Sequence, residues 1–152
     1  MPIERLPPRL IPFARRLRAW AMTDSFAILI LGIGIIFRGV SYLPGVLGSP
    51  PPPGSHPAES SLPMPVWGVI WLVVGVICII SSITRSTIVD VIALCSGVML
   101  NAGWGMSFVF ASLEGVSHRS WVSSVGYFSV VILVVWAVWR GKRGDIPKED
   151  RE

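Results

Sequence analysis

The chain has 152 residues, of which 52% are hydrophobic and 14% charged, and a formal net charge of +4. A soluble domain carries about 25% charged residues, so this chain lacks the polar surface needed to face water on all sides. Its basic residues gather at the two ends instead of lining a face with interleaved aromatics, which argues against a nucleic-acid groove and for a membrane protein.

Crossing a hydrocarbon core of ~30 Å takes ~20 mostly apolar residues in a helix. Four segments qualify, at about 25–43, 66–83, 87–111 and 121–139. The expected fold is therefore all-α, an integral membrane four-helix bundle occupying 25–139. A basic arm at 1–24 precedes it, a Pro-rich loop at 44–65 interrupts it, and a charged tail at 140–152 follows.

In the arm, Leu10, Phe13, Leu17 and Trp20 recur at helical spacing while Arg15, Arg16 and Arg18 take other faces. That pattern predicts a short amphipathic helix in the membrane interface, with Arg15, Arg16, Arg18 and Trp20 against an anionic inner leaflet. A plain basic arm that only sets orientation is the alternative. The first apolar segment exceeds the ~7–15 residues of a signal peptide, and no A-x-A cleavage site follows it, so it is read as an uncleaved span. Arg38 lies near its far end, within snorkelling reach of the interface, and Tyr42 is one turn further on the same face. Together they predict a polar pair sharing the outer interface, with Arg38 simply snorkelling there; a fixed positive charge at an outer vestibule or an oligomer contact is the functional alternative.

The run from Gly48 to Pro65 is dense in proline, which has no backbone donor, so an extended loop is expected, with His56 solvated in it. In the second span Gly68, Gly75 and Ser82 fall seven apart, with Trp71 and Cys78 between them. Thr84, Arg85 and Ser86 then join the second and third spans directly, which demands an antiparallel hairpin. Thr87 and Asp90 have capping-box spacing at the start of the third span, and an acid in the first helical turn is favourable. Further along, Ala93, Gly97, Asn101 and Gly105 fall four apart on one face. Small residues at that spacing allow close helix approach, and a mid-membrane amide can hydrogen-bond across the contact. The stripe is read as a helix-packing or oligomer face, with Gly68, Gly75 and Ser82 as its candidate counterpart. Asn101 could instead belong to a polar path with Ser123, Ser124, Tyr127 and Ser129 of the fourth span.

The two cysteines, Cys78 and Cys95, lie inside apolar segments and are read as small core residues. No metal-ligand set, paired carboxylates, nucleophile with a base or phosphate-cradling loop stands out, so a non-enzymatic protein with no cofactor or metal is expected. Orientation follows from the basic flanks. Arg5, Arg9, Arg15, Arg16, Arg18, Arg85, Arg140, Lys142, Arg143, Lys148 and Arg151 share one side, and Arg119 alone takes the other. This bias places both termini in the cytoplasm.

Arg38, Gly39 and Tyr42, then Trp67, Gly68 and Trp71, and the charged run from Arg140 to Glu152 give the chain a general character. It resembles small four-helix membrane proteins and holin-like proteins of actinobacteria and their phages. The resemblance implies a lysis role, in which subunits accumulate in the inner membrane and assemble into lesions. The same stripes would serve an accessory or scaffold subunit of a larger membrane complex. A small transporter or channel lined by Arg38 and Asn101 is the third reading, and it lacks a deep ionisable group for coupling. The partners expected are therefore the lipid bilayer and either further copies of the chain or another membrane protein.

Overall fold

A computed structural model describes residues 7, 10–15, 23–46, 54, 56–84, 86–115 and 119–144, with side chains as far as Arg140. Among these residues there is no strand. The long helices are α1 (Asp24–Ser41), α2 (Met64–Ile83), α3 (Thr87–Leu113) and α4 (Ser120–Gly144), with a short 3-10 helix at Pro57–Ser60 between α1 and α2. All four are long and apolar enough to cross a membrane. Their most apolar stretches are only 28%, 28%, 28% and 17% buried, so most of that apolar surface faces outward. Phe37, Ile88 and Met99 are each more than half exposed. Helices that are apolar all round need an apolar solvent on the outside.

Residues 11–15 form a helical turn, with Leu10, Phe13 and Arg15 exposed. The remainder of the anticipated interfacial helix, including Arg16, Arg18 and Trp20, lies outside the described residues.

Local chemistry sets the helix ends. Pro44 follows the end of α1, Pro65 sits in the first turn of α2 where its missing N–H costs nothing, and Gly115 takes a left-handed φ of 75° just past α3. The start of α3 differs from the expected capping box. Thr87 is already helical, and the N-cap is Ser86, which makes no side-chain capping bond. Asp90 is instead turned toward α2, where its Oδ1 accepts a 2.6 Å hydrogen bond from the buried Ser81 hydroxyl and ties the tight turn together.

The packing rests on glycine. Gly32 and Gly39 of α1 face Gly75 and Gly68 of α2 in antiparallel order. A Cβ on Gly39 would fall 2.9 Å from both the Gly68 carbonyl oxygen and the Leu72 backbone nitrogen. Gly68 and Gly75 therefore serve α1 and do not meet the α3 stripe. The buried edge of α2 continues through Met64, Trp71 and Cys78 to Ser81. Ser82 is only half-buried, and its hydroxyl donates to the Ile79 carbonyl of its own helix at 2.7 Å.

The α3 stripe is spent inside the chain. Ala93, Gly97, Asn101 and Gly105 are all buried. Gly97 packs on Leu31 and Ile35 of α1, and Gly105 on Tyr127 and Phe128 of α4. The Cys78 thiol donates to the Ala93 carbonyl at 3.5 Å, whereas Cys95 faces outward. Asn101 does not bridge helices. Its Nδ2 donates to the Gly97 carbonyl one turn back at 2.9 Å.

These contacts predict opposite outcomes for two glycines five residues apart on α1. Gly39→Ala should lower stability by ~1–3 kcal/mol, because the new methyl meets backbone atoms that cannot move aside. Gly34→Ala meets nothing within 4 Å, and should be neutral or stabilising by up to ~1 kcal/mol through helix propensity. Denaturant titration of the two variants in detergent micelles measures the difference, and equal losses would contradict the glycine interface.

Candidate functional site

The end of the structure nearest the 3-10 helix holds a cluster of aromatic and polar side chains from every long helix. Trp104 of α3 is its centre and is 2% exposed. Trp71 of α2 meets it edge-on at 5.5 Å between ring centroids, Trp67 at 4.8 Å, and Tyr42 lies 5.7 Å away. Phe108 stacks on Tyr127 of α4 at 5.8 Å. Tyr42 is thus turned inward, not presented at the surface with Arg38, and Trp71 is likewise interior.

Arg38 closes the cluster from α1. Its Nη1 donates to the Tyr127 hydroxyl at 2.5 Å, and its Cζ lies 4.6 Å from the centre of the Tyr127 ring. The contact combines a charge-assisted hydrogen bond with a cation–π interaction. The remainder of the guanidinium is exposed, and among the described residues no carboxylate forms an ion pair with it. The indole N–H groups of Trp71 and Trp104 are buried without a hydrogen bond, the second lying near the Tyr127 hydroxyl.

From His56 to Pro63, the described residues of the Pro-rich connection are folded and not extended. His56 caps the 3-10 helix through Nδ1, which accepts from the Ala58 N–H at 3.1 Å, and its own N–H donates to Glu59 at 3.5 Å. Pro57 presets the backbone of that first turn. The Trp67 indole donates to the Ala58 carbonyl at 3.1 Å, which pins the segment to α2. The imidazole then lies 4.4 Å from Trp104 and 4.5 Å from Phe108. His56 is therefore half-buried, not solvated. Burial pushes its pKa down from 6.5 to about 4, with the charge of Arg38 acting the same way and Glu59 opposing. His56 is the site residue that sequence reasoning missed, and its one signal was the His-Pro-x-Glu capping spacing.

The proposed polar path along α4 is not assembled. Ser124 and Tyr127 face inward, Ser123 and Ser129 face outward, and the Ser124 hydroxyl donates to the Trp121 carbonyl of its own helix. Two depressions remain. A broad one of about 1130 Å³ lies between the 3-10 segment and the outer face of α3, with Glu59 and Glu114 at its rim. A narrower cleft of about 490 Å³ runs between α1 and α4, with Arg38 at one end and Arg140 at the other. Asn101 and Trp71 form part of its lining.

Two measurements check this arrangement. The folded loop favours neutral His56, so its packing should be intact above about pH 6.5 and weaken as pH falls toward 4. Acid titration of tryptophan emission should show this transition, and His56→Phe should remove it. A double-mutant cycle of Arg38→Gln with Tyr127→Phe should give a coupling of about 1 kcal/mol; strictly additive effects would mean that the two side chains touch without mutual stabilisation. No protein-family model matches the chain, nor does any curated protein or solved structure, and its functional reading rests on these residues.

Proposed function

We propose that the chain is a non-enzymatic, multi-pass protein of the bacterial plasma membrane that works as an accessory or scaffold subunit for another membrane protein. In this reading it is a four-helix bundle with both termini cytoplasmic. The aromatic cluster with Arg38 sits in the outer leaflet, and the Ser81–Asp90 turn lies at the inner surface, on the side of the basic flanks.

The observation that carries the reading is the use of the small-residue stripes. Gly68 and Gly75 are engaged by α1, and Gly97 and Gly105 by α1 and α4. A face already filled within one copy is not free to join a second, and a partner protein would meet the outward apolar faces of the helices, where Phe37, Ile88 and Met99 are exposed. The interior polar groups likewise serve packing: Asn101, Ser124 and Ser81 each hydrogen-bond within the chain. The holin-like reading would have to use other small residues, Gly103 of α3 and Gly126 of α4. Both face outward with nothing within 4 Å of an added Cβ.

Expression in a bacterial host, with membrane potential and viable count followed together, separates the two. An accessory subunit leaves potential and growth steady at high expression, and native gels resolve it as a single copy or as a larger complex containing a different protein. A delayed, abrupt collapse of potential that Gly103→Leu abolishes would establish the holin-like role instead. Orientation is checked independently by labelling single cysteines introduced as Ser60→Cys and Ser86→Cys in a chain lacking Cys78 and Cys95. The first should react with an impermeant maleimide in intact cells and the second only after lysis.

A further inference from the structure

Arg38 is placed unusually for a membrane arginine. One of its nitrogens is committed to Tyr127, yet a guanidinium has five N–H donors, and among the described residues no carboxylate neutralises it. It stands at one end of the α1–α4 cleft, whose lining contains no acidic residue. Between the two ends the walls are apolar apart from Asn101, whose amide is engaged by the Gly97 carbonyl; Ile30, Leu133 and Val134 are among them, and Gly34 opens the α1 side because no atom lies within 4 Å of where its Cβ would be. From Arg38 to Thr23 the cleft follows α1 for fifteen residues, roughly 22 Å at the helical rise. One leaflet is about half of a ~30 Å hydrocarbon core, so the cleft is long enough to take a whole acyl chain.

A second feature marks the Arg38 end. Trp71 lines the cleft there, 1% exposed, and among the described residues its buried indole N–H has no acceptor. Both Trp71 and Arg38 pack on Tyr127, at 6.4 Å between ring centroids and 4.6 Å from Cζ to centroid respectively. Unused donors therefore gather where an apolar channel of about 490 Å³ begins, a volume within the ~300–1,000 Å³ of small-ligand sites. A cation with free donors at the mouth of an acyl-sized groove is complementary to an anionic amphiphile.

We propose that the α1–α4 cleft is a binding site for a single anionic phospholipid, its phosphate on Arg38 and one acyl chain running past Gly34 toward the opposite end of the helices. This inference rests on the membrane-spanning part of the proposed function and is independent of the accessory role. The phosphate is held by charge-assisted hydrogen bonds from a planar fork already oriented by Tyr127. The chain fills a groove that the two helices leave between them.

The test uses the full chain in nanodiscs containing equal amounts of phosphatidylglycerol and phosphatidylcholine, released in the gas phase for native mass spectrometry. Retained phosphatidylglycerol should exceed retained phosphatidylcholine by about fivefold. Arg38→Gln should bring that ratio close to one. Gly34→Leu, whose side chain enters open space without disturbing helix packing, should lower retention of both lipids while helix content and thermal stability are kept. Equal retention of the two lipids by the unmodified chain, or an unchanged pattern in Gly34→Leu, would overturn the proposal. So would displacement of the lipid by millimolar glycerol phosphate, which would identify a soluble phosphate as the ligand. Failure of the membrane-spanning reading is a separate result, since it would release the chain from membranes in alkaline carbonate.

Discussion

The close approach of α1 and α2 is the constraint from which the remaining arrangement follows. Gly39 and Gly68 bring the two backbones so near that no side chain separates them, and Gly32 and Gly75 repeat the contact lower down. With that spacing set, Tyr42 reaches Trp71, and Trp71 in turn forms a wall for Trp104 of α3. The loop is then drawn in through Trp67 and His56. In lipid, where burial of apolar surface gives helices little reason to associate, backbone proximity and van der Waals fit are what remain to hold them.

The interior polar groups obey the same economy. An unsatisfied polar group in a hydrocarbon medium costs several kcal/mol, and most of those in this chain are satisfied at short range. Asn101 and Ser124 return to carbonyls of their own helices, and Ser81 and Asp90 satisfy each other across the three-residue turn. Arg38 with Tyr127 is the exception that joins distant parts of the chain. It links the first helix to the last and fixes how α4 sits against α1.

The sequence disclosed the helices more fully than their partners. Long apolar runs mark α1 to α4 because span length is a local property, and Ala93, Gly97, Asn101 and Gly105 were legible as a packing face from their four-residue spacing. What that face packs against was not legible, since the spacing within one helix does not say which neighbour it will meet. Gly32 and Gly39 stand out only once Gly75 and Gly68 are opposite them. The α2 edge shows a subtler failure. A seven-residue repeat leads from Gly68 and Gly75 to Ser82, but the residue buried at that end is Ser81, which is turned toward α3 by its hydrogen bond to Asp90. At the candidate site, Arg38 was visible as a costly charge near the end of a span. Its partner Tyr127, 89 residues away, and the aromatic pocket around His56 depend on tertiary contacts that no local spacing records.

The link between Arg38 and Tyr127 also has a history within each molecule's synthesis. The first helix emerges with its arginine long before the tyrosine that receives it has been translated. At ~5–20 residues per second, the intervening 89 residues leave that guanidinium without its phenol partner for roughly 5–18 seconds. Over that interval its place near the helix end lets it reach toward water. The arrival of α4 gives it the phenol it pairs with, so a ribosome that stalls before α4 leaves behind a nascent protein whose first helix is not yet tied to the last.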